Sequence, residues 1–127
     1  MSIAYWCVLA AAVLPSFTVA IAKGLGPYDN RDPRAPGTYK GVAYRAYGAH
    51  QNGLETFPFF AIAVLVASGG SAHTTITVLD GLALAWLGLR LAYIAAYLLD
   101  RPSLRSVTWV VALFTTVGIF TLPAWHG

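Results

Sequence analysis

From Ile3 to Ala22 the chain carries no charged residue, and Lys23 ends the run. A helix rises about 1.5 Å per residue, so an uncharged run of about 20 residues matches the hydrocarbon thickness of a bilayer. Three more long apolar segments follow, over about 45–67, 75–99 and 107–124. Together these four spans use most of the 127 residues and leave no room for a second domain. In lipid the backbone must satisfy its own hydrogen bonds, which a helix does within itself. The expected fold is therefore all-α: a single four-helix transmembrane bundle.

Composition excludes the alternatives. Only 10% of residues are charged and 57% are apolar, whereas soluble domains carry about a quarter charged residues. A soluble enzyme could not cover its surface with so few, and a disordered chain needs low hydrophobicity. The net charge is +3, yet no Lys/Arg cluster exists, so no nucleic-acid partner is expected. Cys7 is alone and cannot form an intrachain disulfide, which makes it a small buried hydrophobe. Ala20-Ile21-Ala22 is similar to a signal-peptidase site, but the first run exceeds a signal peptide's apolar region and no basic residue precedes it. It is read as a retained span.

The loops differ in charge. Residues 23–44 form a long connection with Pro27, Pro33 and Pro36, 68–73 is short and uncharged, and 100–106 is short and basic. Lys23, Arg31, Arg34, Lys40, Arg45, Arg101 and Arg105 all fall at the first and third connections. The positive-inside rule puts both loops in the cytoplasm and both termini on the opposite side. Gly81 with Ala85, and Gly88 with Ala92 and Ala96, predict tight packing within the bundle or between subunits.

Ionisable side chains at membrane depth are costly and are functional candidates. Glu55 lies about 16 Å along its helix from Tyr44, and Arg90 about 15 Å from Asp100. Matching depth and opposite charge predict that they pair, either as a structural bridge or as part of a site. Arg45, Asn52 and Glu55 share one helical face, and Arg90, Tyr93 and Tyr97 share another. The two faces predict a polar cavity open to the cytoplasm, suited to a small zwitterion with carboxylates and an amine. Tyr97 also fits an interfacial aromatic belt. His50 points away from the Asn52 face, and Asp80 is interfacial or paired locally. His50, His73, His126 and Cys7 are too scattered for a metal site, so none is expected. Ser16, Ser103 and Ser106 lack triad partners, and no phosphate-cradling glycine loop exists. Pro58 is expected to kink the second span just past Glu55.

Two stretches carry a family resemblance. One is Arg45-Ala46-Tyr47-Gly48-Ala49-His50-Gln51-Asn52-Gly53-Leu54-Glu55-Thr56-Phe57-Pro58-Phe59. The other runs from Arg90 through Tyr93 and Tyr97 to Arg101-Pro102-Ser103-Leu104-Arg105-Ser106-Val107-Thr108-Trp109. Their order and the four-span layout resemble the membrane-associated eicosanoid and glutathione metabolism superfamily, MAPEG. The resemblance implies a homotrimer with a glutathione site between subunits on the cytoplasmic side. It implies Arg105 as the arginine that stabilises the thiolate, with Ser106 beside it. Arg45, Asn52, Glu55, Arg90, Tyr93 and Tyr97 are the glutathione-binding candidates. Gly48 and Gln51 stand where glutathione-binding members often carry a second basic residue, and Thr56 where some have an aromatic.

The expected activity is a glutathione-dependent transferase or peroxidase acting on lipophilic electrophiles delivered from membrane lipid. Two alternatives remain open. One is a non-catalytic protein of the same fold that binds lipid or a protein partner. The other is a small multidrug-type transporter, whose carboxylate usually sits in the first span, here uncharged.

Overall fold

The computed structural model describes residues 1–35, 37–69 and 76–126. They form α1 (Ile3–Leu25), α2 (Val42–Gly69), α3 (Ile76–Leu98) and α4 (Pro102–His126). All four are long and apolar enough to cross a membrane, so the four-helix bundle expected from the apolar runs is the one observed. Pro36, His73 and most of the short second connection lie outside the described residues.

Three helices extend beyond their apolar cores, α1 by the few residues from Lys23 to Leu25. α2 runs from Val42 to Gly69, and α4 starts at Pro102 instead of near Val107. Hydropathy marks the part of a helix that suits lipid, while the helix itself ends where its backbone caps. Pro102 occupies the first helical position, where its missing N–H and fixed φ cost nothing. Arg105 and Ser106 consequently belong to α4 and do not precede it.

α1 packs chiefly on α2, and α3 on α4. α2 also contacts α3 and α4, while α1 and α4 do not meet among the described residues. The buried face of α1 is Ala4, Cys7, Ala11, Pro15, Thr18 and Ala22, a three-and-four spacing that selects one side of a helix. α2 buries Ala43, Ala46 and Ala49 at its first end, and Phe60, Ala63, Val64 and Ala67 further along. Lipid tails are as apolar as these side chains, so close packing and not escape from water holds the helices together. Phe60 is fully buried and stacks on Trp86 at 3.9 Å and 6°. Phe17, Phe59 and Phe114 point outward.

The small residues of α3 divide. Ala96 is buried, but Gly81, Ala85 and Gly88 are exposed, and a Cβ on Gly81 or Gly88 would meet nothing within 4 Å. Packing inside the bundle is therefore not the role of those two glycines. The close approach falls instead at Gly53, where a Cβ would lie 3.0 Å from Pro15 Cγ. His50 reinforces this α1–α2 contact, its Nδ1 lying 2.7 Å from the Pro15 carbonyl oxygen. That helix-contact role accords with its position away from the Asn52 face. α2 continues through Pro58 as a single helix.

Helix ends are tied across the bundle. The Ala4 N–H, unsatisfied within α1, donates to Asp80 Oδ1 of α3 at 2.8 Å. A carboxylate there also faces the positive end of the helix dipole. Asp80→Ala is expected to cost about 1 kcal/mol, the usual worth of a capping side chain. A thermal midpoint in detergent equal to that of wild type would remove this role.

At the other end of the molecule, α3 stops in a tight backbone motif. Asp100 adopts φ 56°, its N–H donates to Tyr97 O at 3.2 Å, and the Arg101 N–H donates to Ala96 O at 2.8 Å. Glycine is the usual occupant of that left-handed position, and aspartate tolerates it better than most residues. Pro102 then starts α4 at once. This turn determines where Arg105 stands relative to Tyr97. The long first connection folds back on α2: Tyr39 is buried and stacks on Tyr47 at 4.7 Å.

Candidate functional site

The basic end of the bundle holds a stack of rings and guanidinium groups. Trp86, Arg90, Tyr93 and Tyr97 follow one another at four, three and four residues along α3, which keeps them on one face. Arg90 Cζ lies 4.3 Å from the Tyr93 ring centroid and 5.9 Å from that of Trp86. Tyr93 meets Tyr97 edge-on at 5.8 Å. Arg105 arrives from α4 and sets its Cζ 4.7 Å above the Tyr97 ring. Each cation over a ring face is attracted by the ring quadrupole, more strongly as water is excluded.

Gly48 explains how Tyr97 fits. The Tyr97 hydroxyl occupies the space a side chain at 48 would need, and an added Cβ would also lie 2.8 Å from Tyr97 Cζ. The space beside position 48 is thus taken up by a phenol from α3.

Two cavities flank this stack. The first, about 510 Å³, is lined by Asn52, Tyr93, Tyr97, Arg105, Ser106 and Trp109. The second, about 210 Å³, lies between α2, α3 and α4, where Asn52, Glu55, Trp86, Arg90 and Trp109 contribute. Asn52 and Trp109 border both. Most of the residues singled out from the sequence therefore gather in two adjoining chambers. Arg45 does not line either chamber. It donates from Nη2 to the Leu98 carbonyl at 3.3 Å and so holds the last turn of α3.

The Glu55–Arg90 ion pair expected from matching depth is not formed. Both terminal nitrogens of Arg90 lack a hydrogen-bond partner, although the residue is only 2% exposed. Glu55 borders the same chamber but is exposed. Depth along a helix follows from residue number, while the direction of a side chain depends on rotation about the helix axis. Here Arg90 lies over the Tyr93 face and Glu55 points outward.

Two participants were not singled out from the sequence. Trp86 and Trp109 are walls of the chambers. Trp109 lies four residues after Arg105, the spacing that puts both on one side of α4, and this was legible. Arg34 of the long connection lines a further cavity of about 440 Å³ with Gly48, Gln51 and Tyr97. It brings a cation to the part of α2 that has none, and no local pattern in the loop could have shown its reach.

Four membrane-capable helices with a polar cleft near one end define a polytopic helical membrane protein. The chain matches the profile of the MAPEG family over residues 3–125 and belongs to that family, which includes glutathione transferases and synthases. A search of curated proteins returns no match.

Proposed function

We propose that this protein is a glutathione-dependent transferase or peroxidase for lipophilic electrophiles, with glutathione as co-substrate. The observation that carries this reading is Arg105 lying against Tyr97 in a cleft shared with Asn52, Tyr93 and Ser106. A free thiol titrates near about 8.5, and an adjacent cation lowers that value. A drop of about two units corresponds to about 2.7 kcal/mol of preference for the thiolate. Arg105 and the positive end of α4 both favour the anion. In conjugation the thiolate sulfur forms a bond to carbon while the leaving group departs with its electron pair. In peroxide reduction the thiolate takes the terminal oxygen, the alcohol leaves, and a second glutathione forms the disulfide and releases water.

Arg34 is the proposed partner of a glutathione carboxylate, in place of the cations absent at Gly48 and Gln51. Glu55 is the proposed partner of the amine. We also propose a homotrimer, in which a neighbouring subunit covers the exposed Glu55, with the basic end of the bundle in the cytoplasm. The family match, the charge distribution and the cavity shared by Arg34, Gly48 and Gln51 support these assignments.

Titration of glutathione into the detergent-solubilised protein tests the reading. The expected result is a saturable heat together with thiolate absorbance in the ultraviolet. Arg34→Ala is expected to weaken binding about tenfold, which is about 1.4 kcal/mol. Wild-type protein giving neither heat nor thiolate absorbance overturns the reading and favours the non-catalytic alternative.

A further inference from the structure

Gly48 lies well inside α2, where glycine weakens a helix. Its backbone does not call for glycine, since among the described residues only Gly37 and Gly41 are glycines at positive φ. What the fold uses there is the missing Cβ. The Tyr97 hydroxyl fills that space, and a Cβ would also lie 2.8 Å from Tyr97 Cζ and 3.4 Å from Cε2. The other two glycines of α2 receive no such side chain: Gly53 meets Pro15, and Gly69 meets nothing within 4 Å.

The tip of the Tyr97 ring needs that seat. Rotation of a tyrosine ring about its Cβ–Cγ bond has broad minima, so the torsion alone does not fix the ring. The contact with Tyr93, edge-on at 5.8 Å and 83°, comes from the same helix. Gly48 supplies the contact from α2, so two helices hold the ring between them. Arg105 rests on the face of that ring, its Cζ 4.7 Å from the centroid. Arg105 is half-buried near the start of α4, and its long side chain has two places to go. It can extend towards the membrane surface, as arginines at the ends of spans do, or lie over an aromatic face. The ring holds it in the cleft only while the ring itself stays in position. A Cβ at 48 would oblige Cζ to withdraw by about 0.6 Å to reach ordinary contact at 3.4 Å, and the hydroxyl by more. Catalytic groups tolerate displacements of only about 0.5 Å.

We propose that Gly48 is a positioning residue for the thiolate cleft, seating the Tyr97 ring so that the ring presents the Arg105 guanidinium to the sulfur. This inference rests on the glutathione reading and names what holds its arginine in place. Gly48 does not line the Arg105 cleft, so its effect on the sulfur travels through Tyr97, which does. Any side chain at 48 competes with the phenol for the same space.

Gly48→Ala adds a single methyl and raises the helix propensity of α2, so the helix itself is not weakened. The test reads the ultraviolet absorbance of the glutathione thiolate against pH at saturating glutathione. In Gly48→Ala the midpoint is expected to rise by about one pH unit, which is about a tenfold loss of thiolate well below it. In a Tyr97→Phe background no hydroxyl competes for the space, and the same substitution is expected to move the midpoint by less than half as much. A packing defect alone would lower the bound fraction at every pH and leave the midpoint in place. An unchanged midpoint in Gly48→Ala, with thiolate present in wild type, overturns this inference and leaves the glutathione reading intact. An equal shift in both backgrounds also overturns it. Wild-type protein without thiolate absorbance defeats both. A second measurement uses no glutathione and follows arginine modification by mass spectrometry. Phenylglyoxal is expected to modify Arg105 about fivefold faster in Gly48→Ala and in Tyr97→Leu than in wild type, the factor for losing one cation–ring contact. The exposed Arg31 should react at an unchanged rate. An Arg105 rate equal to wild type in Tyr97→Leu overturns the inference even where Gly48→Ala does not fold.

Discussion

Arg105→Ala is expected to abolish thiolate absorbance on adding glutathione and to lower kcat/KM about 10²–10³-fold, the range for losing one well-placed anion-stabilising donor. Residual binding should persist, because Asn52, Tyr93 and Tyr97 remain in the cleft. Arg105→Lys distinguishes charge from geometry. A lysine keeps the positive charge but not the flat surface that lies 4.7 Å over the Tyr97 ring. It is expected to retain part of the thiolate signal and to leave Tyr97 less well positioned. Full activity in Arg105→Ala, measured by product formation and not by binding, would show that Arg105 only anchors the helix at the membrane surface. That outcome is the competing role for any arginine at the end of a span, where the long side chain reaches towards the interface.

The largest effect on stability is expected at Phe60. It is fully buried on α2 and lies parallel to Trp86 of α3 at 3.9 Å. Phe60→Ala opens a cavity at the centre of the bundle and removes this stacking. Such truncations cost about 3–5 kcal/mol in water-soluble cores. Part of that cost is transfer from water, which lipid largely removes, so a value near about 3 kcal/mol is expected. A thermal midpoint within experimental error of wild type would mean that neighbouring side chains collapse into the space.

The residues themselves made the bundle legible. The uncharged run from Ile3 to Ala22 needs no tertiary information to be a span, because no other structure satisfies its backbone in lipid. The same is true of the crowding of Lys and Arg at the first and third connections. The two arginine-bearing motifs were also sufficient to gather Asn52, Tyr93, Tyr97, Arg105 and Ser106 in one cleft.

Pairing was another matter. Glu55 and Arg90 share a depth and a chamber, yet Arg90 stacks on Tyr93 and Glu55 faces outward. Arg45 shares a helical face with Asn52 but its Nη2 is occupied by the Leu98 carbonyl. Gly81 and Gly88 have the spacing of a packing motif and touch nothing within 4 Å of an added Cβ. Arg34, far from any motif, lines one cavity with Gly48 and Tyr97. Spacing along a chain specifies depth and relative angle within one helix, since rise and turn per residue are nearly constant. It does not specify how two helices rotate against each other. That follows from how small and large residues interlock at their contacts, as where Gly48 receives Tyr97 and Gly53 receives Pro15. The charge-free run that makes this a membrane protein could be read directly. The buried, unpartnered Arg90 could be recognised only once the helices were packed.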